Sequence, residues 1–476
     1  MQSTDFTLHP EVQKTLSDLK AHFDSSKDGG GNQFIVSDII DDEGHQYVNL
    51  VQEGGGVLGI ALVGYTYILE QMGIRFLNLA GTSAGAINTI LISAIGSKKE
   101  EKSKSILHHL GSLDLFTFVD GFWVWKFLIK QATSSTSFLK RLKKLITGIL
   151  SLALILATAS TAYYFFFPSA NPQILQWLMV STFVFIVLVV VLISTVVWLT
   201  GKFRKTGWGL NPGDNFKKWI ASILKENNVN TLEDWQRKIH EMPSDLRVRS
   251  PRTENISDIK PEVCLITSDI TSQVKVEFPR MACLYWKDFL KVNPAEFVRA
   301  SMSIPVFFQA SRIKDIPSND PEVIKCWKEM LSYEGEIPET AMMVDGGLLS
   351  NFPINIFFNP SIEIARLPTL GIKLDDDDAK PKQTFFQLGS YLWAIFNTVR
   401  YYYDRDFLIK NSIFEKCIGR IDVRKFNWLN FNLTEKEKAQ LFVQGATAAS
   451  KFLKEFDWEG FKNYRREKKE LIQKIK

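Results

Sequence analysis

Gly81-Thr82-Ser83-Ala84-Gly85 is the pentapeptide from which the architecture of this 476-residue chain can be inferred, because it fits the G-x-S-x-G frame of a nucleophilic serine. The residues before it, 74–80, are predicted to form a short buried strand, and residues 84–95 a buried helix. Glycines on both sides of the serine permit a strained turn and close backbone approach. The helix N-terminus would offer free N–H groups and a positive dipole end to a developing oxyanion.

A second unit of strand, glycine loop and helix lies upstream. Residues 46–51 are β-like, the loop Gly54-Gly55-Gly56-Val57-Leu58-Gly59 follows, and residues 60–72 are helix-like. Units adjacent in the chain are usually adjacent in a parallel sheet. The loop also resembles a dinucleotide fingerprint, but the acidic residue expected about 20 positions later has no convincing counterpart. The glycine loop is therefore predicted to present its N–H groups to an oxyanion.

A carboxylate partner for the serine is found far downstream. Residues 342–344 are a hydrophobic strand that ends at Asp345, and Gly346 and Gly347 form a turn after it. An aspartate in this position can accept the proton of Ser83 directly or through water. The sequence therefore predicts a pair formed by Ser83 and Asp345.

Other acids and the histidines fit catalysis less well. Asp120 has an aromatic rather than a strand-like context, Asp214 is typical of a helix cap, and residues 375–378 are most simply a solvated loop. None of the six histidines follows Asp345, as the order of serine, acid and histidine in an α/β-hydrolase triad would require. A dyad is thus favoured over a triad.

Together these motifs resemble the patatin-like phospholipase family. That family combines a glycine-rich oxyanion loop, a G-x-S-x-G nucleophile and a D-G-A or D-G-G aspartate, in the order found here. Secondary signatures of the family are also matched, at residues 265–269, 300–305 and 351–353. The likeness covers roughly residues 45–130 and 205–455.

The resemblance implies roles for individual residues. Ser83 would be the nucleophile and Asp345 the base. The oxyanion hole would be formed by Gly54, Gly55 and Gly56. The glycines that support the motifs are Gly59, Gly81, Gly85, Gly346 and Gly347. No cofactor and no metal is expected. Leu58 stands where many members carry Arg or Lys, so the oxyanion would depend on the backbone N–H groups of Gly55 and Gly56.

Two long apolar segments interrupt the predicted hydrolase. Residues 145–167 and 174–199 contain no charged residue, and at ~1.5 Å per residue each can cross a hydrocarbon core of ~30 Å. Basic residues flank their outer ends: Lys140, Arg141, Lys143, Lys144, Lys202, Arg204 and Lys205. The positive-inside rule then predicts an integral membrane protein with two spans, its catalytic domain and both termini on the cytoplasmic side. A buried helical pair in a soluble core is the alternative.

The predicted fold class is α/β: a patatin-like three-layer sandwich with a mainly parallel central sheet, interrupted by a two-helix transmembrane hairpin. The expected divisions are a helical lead (1–44), a catalytic domain in two parts (45–137 and 206–460), the inserted hairpin (138–205) and a basic C-terminal tail (461–476). The basic side chains of the tail could attract anionic lipid at about 1 kcal/mol each, although a solvated terminal helix is an equal alternative. A further helical segment is expected at residues 354–358.

Composition limits the range of partners. The net charge of +5 is modest, and no pattern of basic and aromatic residues indicates nucleic-acid binding. Cys264, Cys283, Cys326 and Cys417 are scattered, so neither a zinc site nor a disulfide framework is expected, and reduced thiols would suit a cytosolic domain. Membrane lipids are the expected substrate and environment. The sequence does not identify a protein partner.

The predicted function is a membrane-bound serine lipid acyl hydrolase of the phospholipase A type that acts through an acyl-enzyme. Two alternatives stay open. Leu58 would suit a catalytically weak or inactive membrane scaffold or sensor that keeps the patatin fold. An acyltransferase would use the same dyad. The motifs separate neither phospholipids from neutral glycerides nor one ester position from another.

Overall fold

A computed structural model describes residues 6–24, 34–111, 113–134, 138–166, 172–249, 256, 259–359, 366–375 and 388–475. The helices are α1 (Pro10–Asp24), α2 (Gly59–Gln71), α3 (Ala84–Ala94), α4 (Ser103–Gly111), α5 (Trp123–Ser134), α6 (Phe138–Phe166), α7 (Pro172–Lys205), α8 (Asp214–Glu226), α9 (Leu232–His240), α10 (Ala295–Ser301), α11 (Pro321–Leu331), α12 (Leu388–Lys410), α13 (Glu435–Glu455) and α14 (Trp458–Ile475). The strands are β1 (Ile39–Ile40), β2 (Gln46–Gln52), β3 (Ile74–Thr82), β4 (Gly209–Asn211), β5 (Arg247–Val248), β6 (Val263–Asp269), β7 (Val274–Phe278), β8 (Val306–Phe308), β9 (Ser311–Ile313), β10 (Ala341–Asp345), β11 (Thr369–Asp375) and β12 (Ile418–Asp422).

The chain divides into two compact units. The larger unit consists of Met1–Asp120 and Gly213–Lys476, and the smaller unit is Gly121–Pro212. The larger unit contains the serine turn, the glycine loop and the aspartate turn.

The larger unit is built on a mixed sheet. In the described part of the chain it has ten strands, with β12-β11-β2-β3-β6-β10-β9 as its main order. The strands from β12 to β6 run parallel, whereas β10, β9 and β7 pair antiparallel. The sheet is therefore mixed rather than mainly parallel. β7 follows β6 after a short turn at 270–273, which suits an antiparallel pair, whereas β9 and β10 pair antiparallel across a longer connection that contains α11.

Helices lie on both faces of this sheet. The crossovers β2-α2-β3 and β3-α3-β6 step in the same direction, so right-handed connections put α2 and α3 on one face, where α13 packs against α2. On the other face, Leu408 of α12 and Trp458 and Phe461 of α14 join a core cluster with Val51, Ala80 and other strand residues. The parallel strands are covered on both faces, as their nearly continuous burial requires.

The smaller unit contains α5, β4 and two long helices. The most apolar 18-residue windows of the segments Lys140–Phe166 and Pro172–Lys205 have mean hydropathies of 2.0 and 2.9, and no part of these windows is buried in the protein. Both are long and apolar enough to cross a membrane. Ser160 of α6 and Thr182 of α7 are hydrogen bonded at 2.7 Å, so the two helices pack against each other. The alternative of a buried pair in a soluble core does not fit their exposure. Residues 167–171, part of the expected hairpin, lie outside the described residues.

The C-terminal segment expected as a basic tail is part of α14. Phe461 is buried in the core, and the Lys462 ammonium contacts both carboxylate oxygens of Asp38 at 3.0 Å. Arg465 donates to the carbonyl oxygen of Asn359. The segment was expected to be separate because its charges are conspicuous in sequence, whereas the apolar contacts of Phe461 are not. The expected helix at 354–358 is also absent, since these residues form turns.

The cysteines do not match the expectation of reduced thiols throughout. Cys283 and Cys326 form a disulfide, with their Cα atoms 6.2 Å apart, while Cys264 and Cys417 are free and buried. The bonded pair is separated by 43 residues. No local spacing motif reports such a contact, because pairing between distant cysteines is set by the fold.

Two glycines permit the close contact of α2 with α13. A Cβ atom at Gly64 would overlap the carbonyl of Phe442, and one at Gly445 would overlap the carbonyl of Ala61. Both neighbours are backbone atoms, which cannot move aside as the end of a flexible side chain can. The crossing of these helices therefore depends on the missing side chains.

We expect Gly445→Ala to destabilise the protein by about 1–3 kcal/mol, the usual cost of overpacking a core. The matched control is Gly59→Ala, because the nearest atom to a Cβ there is Ala84 Cβ at 3.6 Å, an ordinary contact. Thermal unfolding of the solubilised protein should show a lower Tm for Gly445→Ala than for Gly59→Ala. Equal melting temperatures would contradict this account of the helix crossing.

Candidate active site

Ser83 lies on a strained turn between β3 and α3. Its backbone has φ 52° and ψ −116°, a conformation that residues other than glycine seldom adopt. The turn is enforced by packing: a Cβ at Gly81 would overlap the backbone of Gly85, and one at Gly85 would overlap the carbonyl of Gln52. Only glycine at these two positions lets β2, β3 and α3 meet so closely. Ser83 itself is buried, with 3% of its surface exposed.

Residues of the segment 300–305 hold the serine. The Ser83 N–H donates to Ser301 Oγ at 2.9 Å, and Ser301 Oγ donates in turn to the carbonyl oxygen of Ile266 at 2.6 Å. The Ser83 hydroxyl is directed at Met302 Sδ, 3.4 Å away. A thioether is a weak acceptor, so this contact holds the hydroxyl only loosely. The sequence identified this segment as a family signature but not as the support of the nucleophile.

Asp345 ends β10, beside β6. Its N–H donates to the carbonyl oxygen of Ser303 at 2.9 Å, and its Oδ1 accepts the N–H of Gly347 at 2.7 Å. The other carboxylate oxygen, Oδ2, is buried and has no hydrogen-bond partner among the described residues. A Cβ at Gly346 would overlap the carbonyl of Ile266. The absence of a side chain at Gly346 therefore allows the turn after Asp345 to pack closely against β6.

The structure brings Asp345 and Ser83 together. Burial raises the pKa of Asp345 above its ordinary value, while the neighbouring Ser83 hydroxyl, the hydrogen bond from the Gly347 N–H and the positive charge of Arg400 act in the opposite direction. The Ser83 hydroxyl is thus within reach of the carboxylate although its hydrogen bond is directed at Met302. Rotation of one side-chain torsion would exchange a weak sulfur acceptor for a carboxylate oxygen that has no partner among the described residues.

The glycine loop lies beside the serine, but its three N–H groups are not equivalent. The Gly54 N–H donates to the carbonyl oxygen of Asn351 at 3.0 Å and is therefore not free for an oxyanion. Within the described residues, the N–H groups of Gly55 and Gly56 have no acceptor. Gly54 contributes through its size, since a Cβ there would lie 3.1 Å from Ser83 Cβ. Of the three predicted donors, the Gly54 N–H is thus occupied, and an oxyanion role for Gly55 and Gly56 stays a prediction.

Asn351 connects the glycine loop to the aspartate turn. Its backbone carbonyl accepts the Gly54 N–H, and its side-chain amide donates to Glu53 Oε1 and to the Gly54 carbonyl, both at 3.2 Å. The other oxygen of buried Glu53 accepts the N–H of Leu374 at 2.7 Å. Sequence reasoning noted residues 351–353 only as a signature. The position of an asparagine soon after the Asp-Gly-Gly turn was the available signal.

Asp404 of α12 is a second buried carboxylate near the site. It accepts the hydroxyl of Ser350 at 2.7 Å and the N–H of Phe352 at 2.8 Å. The Ser350 carbonyl oxygen accepts the hydroxyl of Thr82, next to the nucleophile, at 3.0 Å. Asp404 therefore fixes the turn between Asp345 and the serine strand. Sequence reasoning missed it because no local pattern reports a contact between residues 54 positions apart in the chain.

The competing acids have other roles or lie outside the described residues. Asp120 accepts the N–H groups of Gly213 and Asn215 at 2.9 and 3.1 Å, at the start of α8. Asp375 ends β11, and residues 376–378 are not described. In the described ranges, no group of three or more His, Cys, Asp or Glu side chains is arranged to hold a metal ion.

The arrangement combines a buried hydroxyl, a buried carboxylate with a raised pKa, and two free backbone N–H groups. Groups of these kinds can carry out nucleophilic acyl transfer, which needs a nucleophile, a base and donors for a developing oxyanion. They lie where parallel strands β2 and β3 end, the usual position of sites in open α/β sheets.

Comparison with known proteins identifies the family of this chain. The patatin-like phospholipase family matches residues 50–358, and the chain belongs to that family. An uncharacterized protein of Bacillus subtilis (strain 168), YqhO, is 26% identical over 413 residues, which span 87% of this chain and 100% of YqhO. Among solved structures, VipD from Legionella pneumophila matches with a TM-score of 0.40 and 14% identity, covering 90% of this chain and 71% of VipD. Family membership supports lipid acyl hydrolysis in general.

The raised pKa of Asp404 should make stability depend on pH. Burial raises this pKa from 3.8 to about 6. The stability that protonated Asp404 contributes to the folded protein is thus fully present below pH 3.8 and is lost as the pH rises through about 6. The loss should amount to about 3 kcal/mol, since one pKa unit corresponds to ~1.4 kcal/mol.

We therefore expect Asp404→Asn, which cannot ionise, to gain stability relative to the native protein as the pH rises from about 4 to about 7. Melting temperatures of both proteins across this range measure the difference. Ser350→Ala removes a donor that lowers the pKa of Asp404, so it should increase the loss at neutral pH. If the difference in melting temperature between the native protein and Asp404→Asn does not change with pH, the raised pKa of Asp404 is contradicted.

Proposed function

We propose that this protein is a membrane-bound serine lipid acyl hydrolase of the phospholipase A type that uses a Ser83–Asp345 dyad. The observation that carries the proposal is the pairing of a strained, buried serine with a buried carboxylate whose Oδ2 has no partner in the described part of the chain. A buried acceptor without a donor costs free energy. Deprotonating an adjacent nucleophile offsets that cost by supplying the missing proton.

In this mechanism Ser83 attacks the ester carbonyl while Asp345 takes its proton. Burial raises the pKa of Asp345 toward the operating pH, which makes the carboxylate a stronger base than an exposed aspartate. The leaving alcohol then receives that proton. A water molecule attacks the acyl-enzyme by the same path in reverse, with Asp345 again as the base, and releases the fatty acid.

The oxyanion of each tetrahedral intermediate would be bound by the N–H groups of Gly55 and Gly56. Each such donor is typically worth about 3–4 kcal/mol in the transition state. The start of α3 adds the positive end of its dipole. These are backbone donors, and a basic side chain at position 58 is not required for them.

We expect Ser83→Ala to lose at least ~10³-fold of fatty-acid release from phospholipid vesicles, as removal of a nucleophile does in other enzymes. Ser222→Ala is the matched control, because it removes an exposed helical hydroxyl that donates only to the Trp219 carbonyl in the described structure. Fatty-acid release by both variants, after equal membrane insertion, is the measurement. Undiminished release by Ser83→Ala refutes the assignment of the nucleophile.

A fluorophosphonate probe tests the inactive scaffold as an alternative. An activated serine reacts with the probe, and the dyad predicts that Asp345→Asn reacts far more slowly. Failure of the native protein to react would favour the scaffold. Transfer of the acyl group to a lyso-lipid in preference to water would favour the acyltransferase.

The membrane part of the proposal is supported by the length, hydropathy and exposure of α6 and α7. We propose that they form a hairpin inserted between the serine and the aspartate. The basic residues at both outer ends favour a cytoplasmic catalytic domain. The Cys283–Cys326 disulfide weighs against that side, because disulfides persist mainly in oxidising compartments.

Labelling with a membrane-impermeant maleimide decides the orientation. The native background should be low, because the free thiols of Cys264 and Cys417 are buried. A cytoplasmic catalytic domain predicts that Ser169→Cys, between the two helices, is labelled in intact cells. Arg466→Cys, exposed on α14, should then be labelled only after permeabilisation. The reverse pattern would show that the disulfide, not the basic flanks, reports the compartment.

A further inference from the structure

The segment 299–303, at the end of α10, holds the backbone of both members of the proposed dyad. Ser301 Oγ accepts the Ser83 N–H at 2.9 Å. Two residues later, the Ser303 carbonyl oxygen accepts the Asp345 N–H, also at 2.9 Å. The separation of the Ser83 hydroxyl from the Asp345 carboxylate therefore depends on where this one segment lies.

The buried side chain of Arg299 fixes the segment. Its Nη1 donates to Ser303 Oγ at 2.6 Å, and its Nη2 donates to the carbonyl oxygen of Gln309 at 2.8 Å. The Ser303 hydroxyl donates back to the Arg299 carbonyl oxygen at 2.8 Å. A guanidinium is planar, and its N–H groups have a fixed fork geometry. Ser303 and Gln309 are thus held by one rigid group, and a displaced guanidinium must pull on Ser303 or lose the bond to it.

The same guanidinium packs against the end of the larger unit at which the chain returns from the smaller one. The larger unit is interrupted between Asp120 and Gly213. The Asp120 carboxylate joins these two ends, because it accepts the N–H groups of Gly213 and Asn215 at 2.9 and 3.1 Å. Gly213 has φ 77°, and a Cβ there would overlap the Nε and Cζ atoms of Arg299.

A side chain at position 213 would therefore act on the segment 299–303. The end of a flexible side chain usually moves aside from such an overlap at little cost. The guanidinium of Arg299 is not free to do so, because the residue is 5% exposed and two acceptors hold the group. Moving it breaks buried hydrogen bonds, each of which is costly to leave unmade.

Asp120 also stabilises the charge of Arg299. Burial lowers the pKa of Arg299, and the carboxylates of Asp120, Asp214 and Glu296 act in the opposite direction. One carboxylate thus accepts the backbone of Gly213 and favours the charged guanidinium that packs on it. The two ends of the interrupted unit and the buried arginine form one polar cluster.

We propose that Arg299 is a positioning residue for the Ser83–Asp345 pair and couples this pair to the insertion point at Gly213. Arg299 acts through Ser301 and Ser303, which hold the two backbones, and takes no part in the chemistry. A misplacement of about 1 Å at reacting groups can cost ~10²-fold in rate, so a small shift of the segment is sufficient. This inference rests on the proposed hydrolase function and adds to it a point of control at the insertion.

The test uses two alanine substitutions in the full-length protein, Gly213→Ala and Gly73→Ala. Gly73 has φ 78°, close to the φ 77° of Gly213, but a Cβ at Gly73 has no atom within 4 Å. Both substitutions place alanine at positive φ and so carry a similar backbone cost. Gly73 precedes β3, so about 30 Å of extended strand separates it from Ser83. A difference between the variants reports the contact with Arg299.

Two rates are measured below the melting temperature of each variant and divided by its folded fraction: labelling by a fluorophosphonate and kcat on phosphatidylcholine in mixed micelles. Gly213→Ala should lower both rates by about tenfold or more, because the reacting groups are misplaced. KM should stay within about twofold, since substrate contacts are unchanged. Gly73→Ala should stay within about twofold of the native protein in both rates, because distant sites act independently.

A double-mutant cycle tests whether the effect passes through the guanidinium. Arg299→Lys should itself lower kcat, because an ammonium lacks the fork that holds Ser303 and Gln309 together. In that background Gly213→Ala should cost no more than about twofold further, since the group it displaces is already absent. If Arg299→Lys does not fold, Ser303→Ala replaces it in the cycle. This variant removes the hydroxyl that accepts the guanidinium and should make the two effects non-additive in the same way.

Three results would overturn the inference and leave the hydrolase function standing. The first is equal rates for Gly213→Ala and Gly73→Ala. The second is additivity of Gly213→Ala with the partner variant of the cycle. The third is a lower melting temperature of Gly213→Ala with native rates per folded molecule, which would make Arg299 a purely structural residue. A native protein that neither reacts with the probe nor hydrolyses lipid would instead refute the proposed function, and this inference with it.

Discussion

The structure around the site depends on the strained backbone of Ser83, which has a positive φ. Such strain costs about 1–3 kcal/mol and persists only when the surrounding residues enforce it. The enforcement comes from backbone packing. Gly81 and Gly85 let β3 turn into α3 against the end of β2, where the Gln52 carbonyl would collide with any side chain at position 85. The backbone strain at Ser83 and the closeness of its side chain to Asp345 thus result from the same packing.

The elements around the serine are connected by buried polar groups rather than by apolar contact alone. Asn351 links the glycine loop to the aspartate turn, and Asp404 links that turn to α12 and, through Ser350, to Thr82. Buried polar groups require partners, so each of these residues restricts several loops at once. A change at α12 can therefore reach Asp345 without touching it.

The sequence predicted those features that depend on local pattern. The serine turn, the glycine loop and the strand ending at Asp345 each lie within one short stretch, where glycine spacing and hydrophobicity are informative. The pairing of Cys283 with Cys326, the role of Asp404 and the loss of the Gly54 N–H to Asn351 depend on contacts between distant segments. The antiparallel edge was missed for the same reason, since strand order is a tertiary property.

The absence of a basic residue from the glycine loop has a physical explanation in this structure. Leu58 is buried, with 3% of its surface exposed, and its N–H donates to the Gly55 carbonyl. An arginine with the same backbone would have to bury its charge, which is costly without a partner. The proposed stabilisation of an oxyanion by the backbone N–H groups of Gly55 and Gly56 would avoid that cost. With a leucine in the loop, the positive charge that acts on Asp345 is that of Arg400, which approaches from the opposite end of the chain.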